Sequence, residues 1–132
     1  MMKRIPIVAV IIENNGSILM HRRNYEPQKG KIDFVGGFVE KGETVEEAAV
    51  REAKEETGFN VSLTRKIAVL DYTQEREKTM HLFIAKIVGG KERNSTEGEA
   101  VWMKSSERKE LAFPNTAYFL DVYEQLKKES SS

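Results

Sequence analysis

Apolar residues in this chain gather in short runs separated by polar stretches rich in Gly, Asn and Pro. Residues 5–12 form a nearly continuous aliphatic run that reads as a buried first strand. Asn15-Gly16 is a hairpin turn, and residues 17–23 supply the partner strand. Residues 24–31 are polar, contain Pro27 and Gly30, and read as a loop; residues 32–35 and 38–40 are short strands on either side of Gly36-Gly37. A helix is predicted from about Val45 to Thr57. Thr44 and Glu47 make a capping box at its start, no Gly or Pro interrupts it, and Gly58 stands where a left-handed cap would end it. At about 100° per residue, Ala49, Val50, Ala53 and Thr57 share the face expected to pack on a sheet, with Ala48, Glu52, Glu55 and Glu56 opposite. Strands are predicted again over residues 61–70 and 78–88, separated by a charged loop at 71–77, and over 99–103. Residues 116–128 carry a helical stripe of Phe119, Leu120, Val122, Tyr123 and Leu126. Strands, helix, strands, helix in that order predict an α/β/α sandwich with a mixed β-sheet between the helices.

Length and charge narrow the function. The 132 residues make one domain, taken as 1–129, with a disordered tail at 130–132. Twenty-one basic and twenty-one acidic residues cancel, so no global field favours a nucleic-acid duplex, and the expected partner is a small molecule. The absence of cysteine removes disulfides, thiolate metal sites and a Cys nucleophile, and is compatible with the reducing cytoplasm, the expected location. The start MMKRIPIVAVII has a basic pair before an apolar run, but the run lacks a small-residue cleavage site and is read as a strand rather than a signal. Nothing reaches the roughly 18–20 apolar residues of a bilayer span. Monomer and homodimer are both open.

The chemistry concentrates between Gly37 and Phe59. Glu52 stands three residues before Glu55 and four before Glu56, like-charge spacings that cost a bare helix roughly 0.2–0.5 kcal/mol per pair. A divalent cation turns that cost into binding, and hard oxygen ligands suit Mg²⁺, with Mn²⁺ a possible substitute; Mg²⁺ commonly completes its shell with waters and substrate phosphates. The spacing Gly37, five residues, Glu43, seven residues, Arg51-Glu52-Ala53-Lys54-Glu55-Glu56-Thr57-Gly58-Phe59 resembles the signature G-x5-E-x7-R-E-U-x-E-E-x-G-U of the Nudix (MutT-like) hydrolases, U being a bulky apolar residue. Ala53 is small for its place, and Phe34-Val35 stands where many relatives have Leu-Pro.

That resemblance implies a Nudix-type sandwich and Mg²⁺-dependent hydrolysis of a diphosphate in a small nucleotide substrate. It implies metal ligation by Glu52, Glu55, Glu56 and the Gly37 carbonyl, with Arg51 an orienting residue held by Glu43. A base or water-orienting carboxylate must also be supplied: Glu55, Glu56, Glu97 and Glu99 are the candidates, and Glu97 is favoured because Gly98 beside it suits a mobile loop. Arg23 is the candidate phosphate contact. Tyr25, Phe34 and Phe38 are candidates to stack a base, with buried packing the expectation for the two Phe. Asn115 is either a reader of a purine edge or part of a helix cap. His21 and His81 read as structural or surface residues, and Trp102 as core. An ADP-ribose-like substrate is expected ahead of a nucleoside triphosphate of the oxidised dGTP type, and a non-catalytic nucleotide sensor is the rival of another class.

Overall fold

The computed structural model describes residues 4–131. Among them the chain forms β1 (Ile5–Asn14), β2 (Ser17–Arg23), β3 (Ile32–Asp33), β4 (Val35–Phe38), α1 (Val45–Thr57), β5 (Phe59–Gln74), β6 (Arg76–Gly90), β7 (Gly98–Met103) and α2 (Pro114–Ser131). The strands make one mixed sheet, with β1 parallel to β6 and every other pairing antiparallel.

Alternation along the strands builds two cores from one sheet. Successive side chains point to opposite faces, so Val8, Val10 and Ile12 of β1 pack with Leu19, Phe83 and the alanines of α1, Ala48, Ala49 and Ala53. Ala9 and Ile11 point the other way, against Met20, Leu82 and the α2 stripe Phe119, Leu120 and Tyr123. Each fully buried Val, Ile or Leu contributes roughly 1.5–3 kcal/mol relative to exposure. The expected α/β/α sandwich is therefore the observed one.

The site depends on a fork in the sheet. β1 and β2 pair only from Ile12↔Leu19 to Asn14↔Ser17, next to the Asn15-Gly16 turn, where φ is 52° and 79°. Beyond that they part. The same edge of β1 takes up β4, from Val10↔Val35 to Ile7↔Phe38, and β2 takes up β3 at His21↔Asp33 and Arg22↔Ile32. Asp33, Phe34 and Val35 carry the chain from one side of the fork to the other, and a cleft opens there.

Several elements differ from expectation for identifiable reasons. Gly36 and Gly37 lie inside β4, paired with Ala9 and Val8, rather than between two strands. Backbone crowding requires the first of them: a Cβ on Gly36 would lie 2.0 Å from the Val8 carbonyl oxygen. Residues 71–77, expected as a loop, continue a ribbon paired to Gln74↔Arg76, with Glu75 at φ 65° making the turn. Their charges line up across the strands instead of breaking them: Thr79 Oγ1 donates to Asp71 at 2.6 Å, and Arg4 lies 3.6 Å from the same carboxylate. α1 has the predicted bounds, capping box and left-handed Gly58 (φ 83°), but its buried stripe is rotated. Ala48 is buried and Val50 is 39% exposed. Small residues at the contact let α1 lie close to the sheet, and Glu56 falls within the buried stripe rather than opposite it. Helix α2 continues through Ser131, so the part of the expected disordered tail at 130–131 is helical, and Ser132 lies outside the described residues. No helix among the described residues is long and apolar enough to cross a membrane.

Candidate active site

The cleft is lined by strands of the sheet and by both helices. α1 contributes Glu56, β4 contributes Gly36 and Gly37, and α2 contributes Asn115, Thr116 and Phe119.

Glu56 is the deepest acid, 3% exposed. The Gly36 amide donates to its Oε2 at 3.1 Å. Burial pushes its carboxyl well above the usual range, the charges of Glu52, Glu97 and Asp33 push the same way, and the Gly36 hydrogen bond opposes them. Glu52, one turn earlier, lies over the other glycine: a Cβ on Gly37 would stand 2.8 Å from its carboxylate. Burial raises its pKa too, against the pull of Arg51.

Arg51 organises the rim. Its Nε and Nη2 donate to the two oxygens of Glu43 at 2.7 and 2.9 Å, Nη1 donates to Glu52 at 2.8 Å and Glu55 at 3.2 Å, and Nη2 also reaches the Phe38 carbonyl at 3.1 Å. Only a planar fork can hold that many partners at once. The guanidinium holds Glu43 at about 2, far below an ordinary carboxylate. The clamp is therefore complete above the ordinary carboxylate range and is released only as pH falls from there toward about 2.

The four expected metal donors are unevenly gathered. Gly37 and Glu56 line the cleft and the Glu52 carboxylate lies against Gly37, whereas Glu55 is drawn to Arg51 with its side chain 57% exposed. Among the described residues no three acidic or imidazole side chains converge as a ligand set, and Arg51 pairs with both Glu52 and Glu55. The donors nonetheless fit a hard divalent cation. All are oxygens, Gly37 leaves open backbone beside the Glu52 carboxylate, and the raised pKa values of Glu52 and Glu56 mark carboxyls that a cation would discharge.

Outside α1 the expectations divide. Glu97 is exposed at the turn before β7, and its charge acts on both Glu52 and Glu56. Glu99 pairs at 3.4 Å with Arg22 on the outer part of β2, away from the acids of the cleft, so Glu97 is the better placed of the two. Arg23 enters the cleft but is largely engaged. Its Nε donates to the Pro27 carbonyl at 2.8 Å, Nη1 is 3.5 Å from Asp33, and the guanidinium lies 4.2 Å from the Tyr25 ring centroid. Phe34 is buried against Phe119, ring centroids 6.4 Å apart; Phe38, expected to be buried, is 59% exposed at the mouth. Asn115 is the second residue of α2, in the first turn of that helix, and lines the cleft. Trp102 lies on the opposite core, donating Nε1 to Glu92 at 2.6 Å.

Asp33 and His21, both near Glu56 in the cleft, escaped the sequence reading. Asp33 accepts from the Phe34 amide at 2.8 Å and from Thr116 Oγ1 at 3.2 Å, and burial raises its pKa. His21, read as structural or surface, is 3% exposed and lines the same cleft, its Nδ1 3.9 Å from Glu56 Oε1. Each sits in a strand of ordinary composition, and only the fork brings either beside the acids. A polar residue inside an apolar strand was the one available signal.

Comparison with known proteins bears on these residues. The family model for the NUDIX domain matches residues 2–123. An ADP-ribose pyrophosphatase of Methanocaldococcus jannaschii is 44% identical over 91 residues, 64% of this chain and 53% of that protein. A CTP pyrophosphohydrolase of Escherichia coli is 41% identical over 68 residues, 51% of this chain and 50% of that protein. The chain thus spans about half the length of these relatives. Among solved structures, a NUDIX hydrolase from Nitrosomonas europaea superposes with a TM-score of 0.82 at 20% identity, covering 93% of this chain and 90% of that one, a likeness of fold.

Proposed function

The chain belongs to the NUDIX domain family, and from that membership we propose that it is a divalent-cation-dependent pyrophosphohydrolase that cleaves the diphosphate of a small nucleotide. The observation that carries the reading is the meeting of buried Glu56 and partly buried Glu52 at the two cleft glycines.

Members of this family typically use divalent metal ions, and Mg²⁺ suits these donors best, with Mn²⁺ a substitute. Glu52, Glu56 and the Gly37 carbonyl would hold the ion, with Glu55 joining on release from Arg51. When bound, such an ion neutralises the diphosphate and lowers the pKa of a water. The protein's own groups do the rest. Arg51, pinned by Glu43, keeps Glu52 oriented. Glu97 accepts the proton of the attacking water as its oxygen bonds to phosphorus and the anhydride oxygen leaves with the electron pair. Arg23 meets a phosphate with the part of its guanidinium that Pro27 and Asp33 leave free. Phe34 and Asn115 contact the base. We favour an ADP-ribose-like substrate, as the name of the M. jannaschii relative suggests; a nucleoside triphosphate is the second reading, favoured by the name of the E. coli one. The protein would act in the cytoplasm as a monomer or homodimer.

Product analysis by phosphorus NMR tests this: purified protein with Mg²⁺ and a panel of ADP-ribose, NADH, a nucleotide sugar and normal or oxidised nucleoside triphosphates. Turnover of one class is expected, and nucleotide binding without turnover would point instead to a sensor. Glu97→Gln is expected to lower kcat about 10²-fold, within the range of general-base effects, with metal affinity unchanged. A rate within twofold of wild type in single-turnover kinetics would pass the proton-accepting role to Glu55 or Glu56.

A further inference from the structure

The proposed chemistry gives His21 no task, although it is as buried as Glu56. It follows Leu19 on the α1 side of β2, and where Leu19 packs into the core, His21 reaches the fork. Its two nitrogens face different neighbours. Nδ1 is 3.9 Å from Glu56 Oε1, beyond hydrogen-bond length, and Nε2 is buried with no hydrogen-bond partner. Nε2 therefore gains no hydrogen bond from the protein in exchange for its burial.

The far edge of the ring lies against β7. A Cβ on Gly98 would stand 2.8 Å from His21 Nε2, 3.0 Å from its Cε1 and 2.0 Å from the Arg22 carbonyl oxygen. Ring and strand together make a slot that glycine alone fits. Gly98 closes a tight turn in which the Ser95 and Gly98 amides bond each other's carbonyls at 3.0 and 3.3 Å, and Asn24 N donates to the Glu97 carbonyl at 2.8 Å. Glu97 therefore rides on a short turn whose inner wall is the His21 ring, and the ring's other side faces Glu56.

We propose that His21 is a positioning residue, a buried spacer that sets the turn carrying Glu97 at a fixed remove from Glu56. The proposal rests on the reading of Glu97 as the proton acceptor, and its test separates the two. His21→Ala is expected to raise hydrogen exchange at the Ser95 and Gly98 amides at least tenfold while leaving the β1–β6 amides protected. It is expected to lower kcat about tenfold with KM within twofold. In a Glu97→Gln background the same substitution is expected to cost less than a further twofold, because the carboxylate it would misplace is already gone. A residue that merely supports the fold would cost the same in both backgrounds, and that result, or unchanged exchange at Ser95 and Gly98, overturns the proposal. His21→Asn, a milder change too short to reach Gly98, must loosen the same two amides even if the alanine variant does not fold; exchange like wild type overturns the proposal as well. Absence of turnover in the wild-type protein would refute the proposed function, leaving the exchange data to decide on the spacer.

Discussion

Glu56→Gln is expected to reduce turnover by 10³-fold or more without lowering the melting temperature. The two halves of this expectation have separate causes. Gln keeps the shape of Glu and an oxygen that can accept from the Gly36 amide, so the contact between α1 and β4 survives. It also removes an ionisable group that burial and three neighbouring acids already hold far above its usual pKa, which relieves the folded state. Activity behaves oppositely, because the charge offered to a cation facing the diphosphate is lost. A deficit of about 4 kcal/mol in transition-state stabilisation corresponds to roughly 10³ in rate. Thermal melts and product assays on one preparation check both halves. Turnover within tenfold of wild type would sink the ligand role, and a large fall in melting temperature would make Glu56 a structural residue.

Adjacent glycines should fail in different ways. The Cβ of Gly36→Ala would fall 2.0 Å from the Val8 carbonyl oxygen and 2.9 Å from its carbon, backbone atoms held by the β1–β6 ladder. They cannot yield without disturbing that register, so a loss of about 3 kcal/mol or more is expected, at the upper end of overpacking. A fall in urea midpoint at constant m would measure it. The three heavy atoms nearest the Cβ of Gly37→Ala all belong to the end of the Glu52 side chain, from 2.8 Å, and that carboxylate can swing aside. This variant should keep a near-native urea midpoint and lose most activity, since the Glu52 carboxylate is displaced from its place beside Gly37. Equal destabilisation by the two substitutions would contradict the division of labour between them.

The sequence reveals best what is local. The start and end of α1 follow from Thr44, Glu47 and Gly58, and the strands from their aliphatic runs, because caps and periodicity act over a few residues. The rotation of α1 was not legible: Val50 is larger and more apolar than Ala48, and only the closeness of helix and sheet decides that the smaller residue goes inside. The acids of α1, with Arg51 and Glu43, stand out as a spacing, and the contacts of Arg51 run within one segment. Asp33 and His21 reach the cleft through pairings set by chain topology, which no window of sequence encodes. Residues 71–77 misled because their charges resemble a loop, whereas polar partners across a two-stranded ribbon satisfy one another.

The fork has a thermodynamic consequence for any occupant. A ligand lodged where β1 and β2 part would touch α1 through Glu56 and α2 through Asn115, residues that belong to separate layers of the sandwich. It would act as a rivet through both. Binding energy stabilises whatever must be intact for the ligand to bind, so saturation should slow amide exchange in the two helices together, by a common factor, although they lie on opposite faces of the sheet.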